Sequence, residues 1–579
     1  MCKKLTLILL LLLINSALAL EGNSVTVKAV AVTSDGSKGV TIDITVTVSK
    51  GTGKVFVATG PMTEIDMQGS ARLAAVTACD LLGIDFMDYN FFYEIQADAP
   101  IVGGPSAGAV MTVATIAALK NLTLRNDVFM TGTIYPDGFV GPVGGLKQKL
   151  EAAAYSGGKI FLIPEGQRIS YVEETVVRRV GIVNVISKVY KQVDLVEFGK
   201  QIGVEVYEVY TINDALKFYS GFEIRQKEVY LTTYDYSEIL KKLAEEMRKR
   251  TENIKSPQAL NLIKQAEEDY LKGNYYTATS KYFQALVQAR YQEYLEKILN
   301  AQQFDREVEL IREEINSLKE YLKAAKLGIN SLQIIAAAEE RIGEAELLLY
   351  KAQNARNDNE ALYNLAFAKE RVESAKVWLS LLNVLKGDYE INKDELRKRA
   401  EFYITQAASM IVYAQSLGGS GNFLSMAVDS FRVARNLFSE GMYAGAAFSA
   451  IDSIVSSSLS IERDIYEKMN FTRERAKSAI GEAESVITPI LPAAYFEYAE
   501  NLENIYIKFM YYKMSERLAK LLTVMTKGHG EAEIVQATYV PKQQTKVDQI
   551  KKEIKEIPGF EIFLALTVLF LAYKRFKKT

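Results

Sequence analysis

The sequence predicts an α/β (α+β) region followed by an all-α helical-hairpin region, and three observations carry that prediction. Up to about residue 225, strand-like alternation is broken by Gly-rich turns. From about Tyr236 to Thr526, Gly and Pro become rare, and Ala, Leu, Glu, Lys and Tyr recur at helical spacing. Within that stretch Ala266, Tyr270, Gly273, Tyr275 and Ala278 are echoed by Ala434, Phe438, Gly441, Tyr443 and Ala446. Small residues on one helix, a Gly turn, and an aromatic opening the next helix describe helical hairpins of the tetratricopeptide-like kind.

The first region reads element by element. Segments 24–33 and 40–48 alternate as strands, with Asp35-Gly36 as the hairpin turn between them. Segment 55–59 is a further strand, 70–82 has helical apolar spacing with Gly83 as its stop, and 91–97 is a strand running into a Gly/Pro-rich loop. A chain of 579 residues, 49% hydrophobic and 24% charged, can bury more than one core. The net charge of −2 becomes more acidic once the basic termini are set aside, so nucleic acid is not an expected partner. Two cysteines, Cys2 and Cys79, exclude a disulfide framework and a Cys-rich zinc site, and Cys79 on an apolar helical pattern reads as an inert core residue.

Both ends read as addresses. Lys3-Lys4, an apolar run from Leu5 to Ile14 and Ala17-Leu18-Ala19 have the three parts of a secretory signal, 1–19, although an uncleaved anchor fits the same residues. The tail 557–579 carries Pro558-Gly559-Phe560, an apolar stretch to Tyr573 and Lys574-Arg575-Phe576-Lys577-Lys578. A helix over 557–573 is about 26 Å long against a bilayer core of about 30 Å. The basic end fits the positive-inside rule, and the tail also resembles the sorting signals of archaeal surface proteins. A plain membrane helix and a lipid-exchanged sorting tail both remain open. The domains expected between are 20–225, 236–526 and a polar stalk, 527–556. Asn121-Leu122-Thr123 and Asn470-Phe471-Thr472 fit glycosylation triplets.

Three segments carry candidate chemistry. Gly103-Gly104-Pro105-Ser106-Ala107-Gly108 precedes a small, wholly apolar run at 109–119 that marks a buried helix. Ser106 at that helix N-terminus has backbone N–H groups for an oxyanion, although an ordinary N-cap serine fits as well. Gly144-Gly145 opens a helix on which Leu146, Leu150 and Ala153 form an apolar stripe. Lys149 belongs at the stripe's edge, about 160° from Lys147. A desolvated lysine can act as a neutral base, while a snorkelling surface lysine is the bland alternative. Thr131, in Met130-Thr131-Gly132 at the end of a strand, can orient an amine or can simply be a β-branched strand residue.

Gly-Pro-Ser-Ala-Gly, Met-Thr-Gly and Pro-Val-Gly-Gly-Leu-Lys-x-Lys, followed by Ile163-Pro164, together resemble the proteolytic domain of the Lon family across roughly 55–225. The resemblance implies Ser106 as nucleophile, Lys149 as base, Thr131 as the residue placing the lysine, and the N–H groups of Ser106 and Ala107 as the oxyanion hole. The lone histidine, His529, lies in the expected stalk and makes a poor member of a Ser-His-Asp triad. Acyl transfer by such a dyad requires no metal and no cofactor. Many Lon domains carry acids where this chain has Gly103 and Thr133, which puts regulation and pocket shape in question. No Gly-x-x-x-x-Gly-Lys-Ser/Thr occurs, so the AAA+ motor of ordinary Lon proteases is missing.

The expected function is therefore an exported, surface-anchored, ATP-independent serine endopeptidase acting on unfolded or exposed polypeptide. Its membrane contact would run through the tail, and its helical half would recruit partners or support a homo-oligomer. A non-catalytic scaffold with a degenerate Lon-like domain is the alternative.

Overall fold

The computed structural model describes residues 22–526 apart from 34–35, 61, 98–100, 181–182, 226–233 and 386–387, together with 534–535. The expected signal segment 1–19, His529 and the tail 557–579 lie outside the described residues. So does Asp35 of the predicted hairpin turn. Among the described residues no helix is long and apolar enough to cross a membrane.

The first region is built on a seven-stranded mixed sheet. Its strands are β1 (Gly22–Val32), β2 (Gly39–Lys50), β3 (Lys54–Thr59), β4 (Tyr89–Gln96), β5 (Val128–Met130), β8 (Ile160–Pro164) and β11 (Glu205–Val209). They lie in the order β11-β8-β5-β1-β2-β4-β3. β1 and β2 pair antiparallel as the alternation predicts, with Gly36 in the left-handed region at φ 69°. The run β11-β8-β5-β1 is parallel, so the carboxyl ends of β5 and β8 open onto one edge. In sheets of this kind that edge is where functional loops gather.

Period-two alternation divides the core into two layers. On one face Ala29, Val128, Met130 and Leu162 pack with α1 (Ile65–Leu82) and α2 (Gly108–Lys120). On the other, Val30, Phe129, Phe161 and Ile163 pack with α3 (Leu146–Tyr155) and α4 (Leu195–Ile202). Helix α2 is buried on all sides from Gly108 to Ala118, as its apolar circumference predicts. Helix α1 begins five residues before the predicted Ser70 and ends at Gly83, whose φ of 63° terminates it. Two further pieces matter for the site. A short hairpin, β6 (Thr133–Ile134) and β7 (Val140–Gly141), follows β5. Among the described residues, a ribbon of β9 (Ile169–Val180) and β10 (Val183–Asp194) pairs only with itself. Helix α5 (Ile212–Ser220) closes the region behind a Thr211–Asp214 capping box.

The second region is helical from α6 (Tyr234–Lys249) onward. It continues through α7 (Pro257–Leu271), α8 (Tyr275–Lys297), α9 (Ala301–Ala324), α10 (Ser331–Gln353) and α11 (Asp358–Ser380). It is completed by α12 (Lys393–Ser416), α13 (Gly421–Ser439), α14 (Tyr443–Leu459), α15 (Ile465–Glu484), α16 (Ile490–Glu500) and α17 (Ile505–Thr526). The sequence echo is a structural one. Gly273 and Gly441 turn the chain at φ 83° and 82°, and each turn is flanked by an aromatic pair. The rings of Tyr270 and Tyr275 lie 5.4 Å apart and those of Phe438 and Tyr443 5.3 Å apart. Within the expected stalk 527–556 only Ile534–Val535 is described, paired antiparallel with Asp388–Tyr389.

The two regions share a core. Ala407, Met410, Tyr413 and Ala414 of α12, with Ala434, Ala450 and Ile454, are buried against α1, α2 and β6. Phe402 meets Phe86 at 5.1 Å, and Phe471 meets Phe139 at 5.0 Å.

Gly39 is where β2 passes closest to α3, and a Cβ there would collide with the main-chain carbonyl of Gln148. Gly39→Ala is expected to cost about 1–3 kcal/mol in urea unfolding. Gly60→Ala, which would meet nothing within 4 Å, is expected to stay within about 0.5 kcal/mol of wild type.

Candidate active site

The lysine helix is set by its glycines. Gly145 caps α3 at φ 66°, and a Cβ there would stand 2.6 Å from Val32 Cγ1 at the end of β1. Only glycine both adopts that conformation and lets the helix start so close to the sheet. Leu146, Leu150 and Ala153 then face the core, as predicted. Lys147 points away, pairing with Glu151 at 3.4 Å and lying over the Phe198 ring at 5.2 Å. Lys149 is only 3% exposed. Its Nζ donates to Thr131 Oγ1 at 3.3 Å. Burial alone lowers the ammonium from 10.5 to about 8, with no carboxylate acting on it.

Ser106 arrives from the opposite face of the sheet. It sits in a 3₁₀ turn (Pro105–Ala107) directly before α2, half-buried, rather than as the cap residue itself. Its carbonyl accepts from Gly132 N at 2.9 Å and from Thr131 Oγ1 at 3.4 Å, while Ala109 N donates to Gly132 O at 3.1 Å. Thr131 N in turn donates to Leu162 O at 3.1 Å, continuing the β8 ladder. Thr131 is fully buried and joins the two predicted reacting residues, receiving the Lys149 amine and holding the Ser106 main chain. Among the described residues Ser106 Oγ makes no hydrogen bond, so the link from Lys149 reaches the serine's carbonyl and not its hydroxyl.

Two acids at the start of α1 were not singled out in the sequence. Both oxygens of Asp66 accept from Gly104 N at 3.1 Å, fixing the strap before Ser106 where Gly104 has φ 95°. The Glu64 carboxylate lies against Gly103 so closely that a Cβ on Gly103 would collide with it. An acid therefore does stand beside the position where Lon domains commonly carry one, supplied from another segment. Acidic residues at a helix start are ordinary, and nothing local links Glu64-Ile65-Asp66 to a loop 38 residues on. Thr133, at the second departing position, is buried against Gly141.

The site thus has one helix from each face of the sheet starting near the end of a parallel strand, with a lysine buried beside it. Residues 17–194 match the profile of the Lon protease (S16) C-terminal proteolytic domain. The Lon-type match thus starts upstream of the expected residue 55, taking in β1 and β2, and stops at the end of the β9–β10 ribbon. The chain is 37% identical over 155 residues to a Lon protease of Desulfatibacillum aliphaticivorans, covering 25% of this chain and 18% of that one. Over 128 residues it is 38% identical to Lon protease 1 of Myxococcus xanthus, covering 21% and 15%. A Lon protease of Geobacter metallireducens is 44% identical over 85 residues, covering 14% and 10%. The chain therefore spans less than a fifth of the length of these Lon relatives.

Lys149 has a consequence for stability. Its folded pKa of about 8 lies below the ordinary 10.5, so below pH 8 both states are protonated and the folded state carries the full desolvation penalty. Between pH 8 and 10.5 the folded protein loses its proton first and the penalty fades. Lys149→Met is expected to raise unfolding free energy by about 3 kcal/mol at pH 7, with the gain shrinking toward pH 10. Denaturant unfolding of both proteins across that range checks it, and a gain that does not depend on pH would contradict it.

Proposed function

We propose that the chain is a serine endopeptidase in which Ser106 is the nucleophile and Lys149 the general base. The observation that carries this reading is the buried Lys149 amine, with no carboxylate partner among the described residues and bonded to the threonine that holds Ser106. A neutral amine near pH 8 can take the Ser106 proton as Oγ bonds to a peptide carbonyl carbon. The ammonium then returns that proton to the departing amine as the C–N bond breaks. Water, deprotonated by the same amine, displaces Ser106 Oγ and releases the acid. The N–H groups of Ser106 and Ala107, at the start of the buried α2, are the donors proposed for the oxyanion.

The remaining parts of the proposal rest on the sequence. The basic-apolar-small N-terminus and the apolar-basic tail support an exported enzyme held on the outer face of the cell membrane. We propose that these 579 residues, in which no Gly-x-x-x-x-Gly-Lys-Ser/Thr occurs, cleave polypeptide that is already unfolded or exposed and do so without ATP. The helical half is proposed to control or recruit for the catalytic half.

The test is hydrolysis of a casein-like unfolded chain together with fluorophosphonate labelling. Wild type is expected to label at Ser106 and to cleave without ATP. Ser106→Ala should abolish both, and Lys149→Ala should reduce them at least 10³-fold, on the order of what a general base contributes. Because the base must be neutral, kcat/KM should rise with pH through about 8. Equal turnover by wild type and Lys149→Ala would contradict the dyad.

A further inference from the structure

The helical half closes on one turn of the first region, residues 134–137, and every residue of that turn is held from across the boundary. Tyr413 on α12 accepts from Ile134 N at 3.2 Å and donates to Ile134 O at 3.1 Å. Tyr135 Oη donates to Ile461 O at 3.2 Å. Arg517 donates to Pro136 O at 3.4 Å, and Arg475 donates to Asp137 O. Lys513 ion-pairs with the Asp137 carboxylate at 2.8 Å. Lys468 lies over the Tyr135 and Phe139 rings at 4.4 and 4.9 Å.

This turn continues directly from the residues that hold the nucleophile. Two positions before Ile134, Gly132 donates to Ser106 O and accepts from Ala109 N. Ile134 also packs on the first residue of α2, where a Cβ on Gly108 would stand 2.7 Å from Ile134 Cγ2. The hairpin itself is only β6 and β7, two residues each, and a short two-stranded hairpin has little stability of its own. The Ile134 N–H and C=O are taken up by a single buried hydroxyl, Tyr413, which stands where a third strand would.

We propose that Tyr413 is a positioning residue for the Ser106–Thr131–Lys149 site, and that the helical half clamps 134–137 so that the catalytic centre is complete only with both halves. This rests on the hydrolase reading above. Without the hydroxyl, Ile134 loses both partners, the strand end carrying Thr131 and Gly132 loosens, and water reaches the Lys149 amine. A hydrated amine regains its ordinary affinity for a proton.

The experiment uses the full chain and Tyr413→Phe, which keeps the ring and deletes the hydroxyl. The comparison is Arg399→Gln, which opens the Arg399–Asp85 pair from the same helix without touching 131–137. Tyr413→Phe is expected to slow fluorophosphonate labelling at Ser106 at least tenfold and to lower kcat with KM within about twofold. Its acid limb should move to higher pH, and amide exchange should accelerate at 134 and spread to 131–132. Arg399→Gln should match wild type in all four readouts.

Tyr413→Phe with wild-type rate and an unshifted limb would overturn the proposal, as would equal losses in both variants with no shift. Exchange confined to Ile134 would overturn the clamp irrespective of turnover. A wild type that neither labels nor cleaves would overturn the hydrolase reading instead, leaving exchange to decide the clamp. If Tyr413→Phe does not fold, Tyr135→Phe removes the adjacent bond to Ile461 O and is read in the same way.

Discussion

A charged amine that would cost least in water is instead sealed under β5, and the site depends on what that sealing requires. Among the described residues Lys149 has one hydrogen-bond acceptor, the Thr131 hydroxyl, and no acid to pair with. Unpaired burial of an ammonium is tolerated when the group can shed its proton near working pH. The same feature that weakens the fold there makes the amine a base. Its acceptor must then be held rigidly, because a threonine that moved would admit water and remove the effect. Thr131 is fully buried, tied through its main chain to β8 and through its hydroxyl to Ser106.

Around it, glycines let main chain approach neighbouring elements closely. Gly108 lets α2 meet Ile134, Gly145 lets α3 start against Val32, and Gly39 lets β2 touch the carbonyl of Gln148. Each is a position where one methyl group would separate elements that must converge on Thr131. The carboxyl edge of the parallel strands does the rest: one helix from each face starts there, and Ser106 and Lys149 approach it from different layers of the core.

Much of this was legible because it is local. The β1–β2 hairpin, the buried circumference of α2, the inward Lys149 and outward Lys147, and the two glycine turns of the helical half follow from periodicities of two and 3.6 residues. The aromatic echo also corresponded to geometry, since Tyr270–Tyr275 and Phe438–Tyr443 close equivalent turns. What escaped depends on long separations. Asp66 reaches Gly104 across 38 residues, and Tyr413 reaches Ile134 across 279. A tyrosine on an amphipathic helix carries no mark that distinguishes a core ring from one whose hydroxyl completes another region's backbone. The β9–β10 ribbon was not singled out in the sequence, and period alone does not reveal that, among the described residues, its two strands pair with each other and with no third.

The contact between the halves is specified by charge as much as by apolar area. Arg475 meets Asp80 at 3.1 Å and also pairs with Glu516, while Lys520 meets Asp80 at 2.8 Å and Glu516 at 2.7 Å. Beside them Lys513 joins Asp137 and Glu462. Burial pushes the Asp137 carboxyl up, but the Lys513, Lys468 and Arg475 charges outweigh it and hold the group below the usual carboxylate range. Buried ion networks gain little net stability over apolar packing, yet losing one partner is costly, about 3–5 kcal/mol, because the other is stranded. Asp137 is buried and Asp80 half-buried, so parting either from its lysine or arginine partners would strand a carboxylate at the boundary. The ion pair on Asp137 and the Tyr413 bonds to Ile134 thus meet on one turn, the second across 279 positions of the chain.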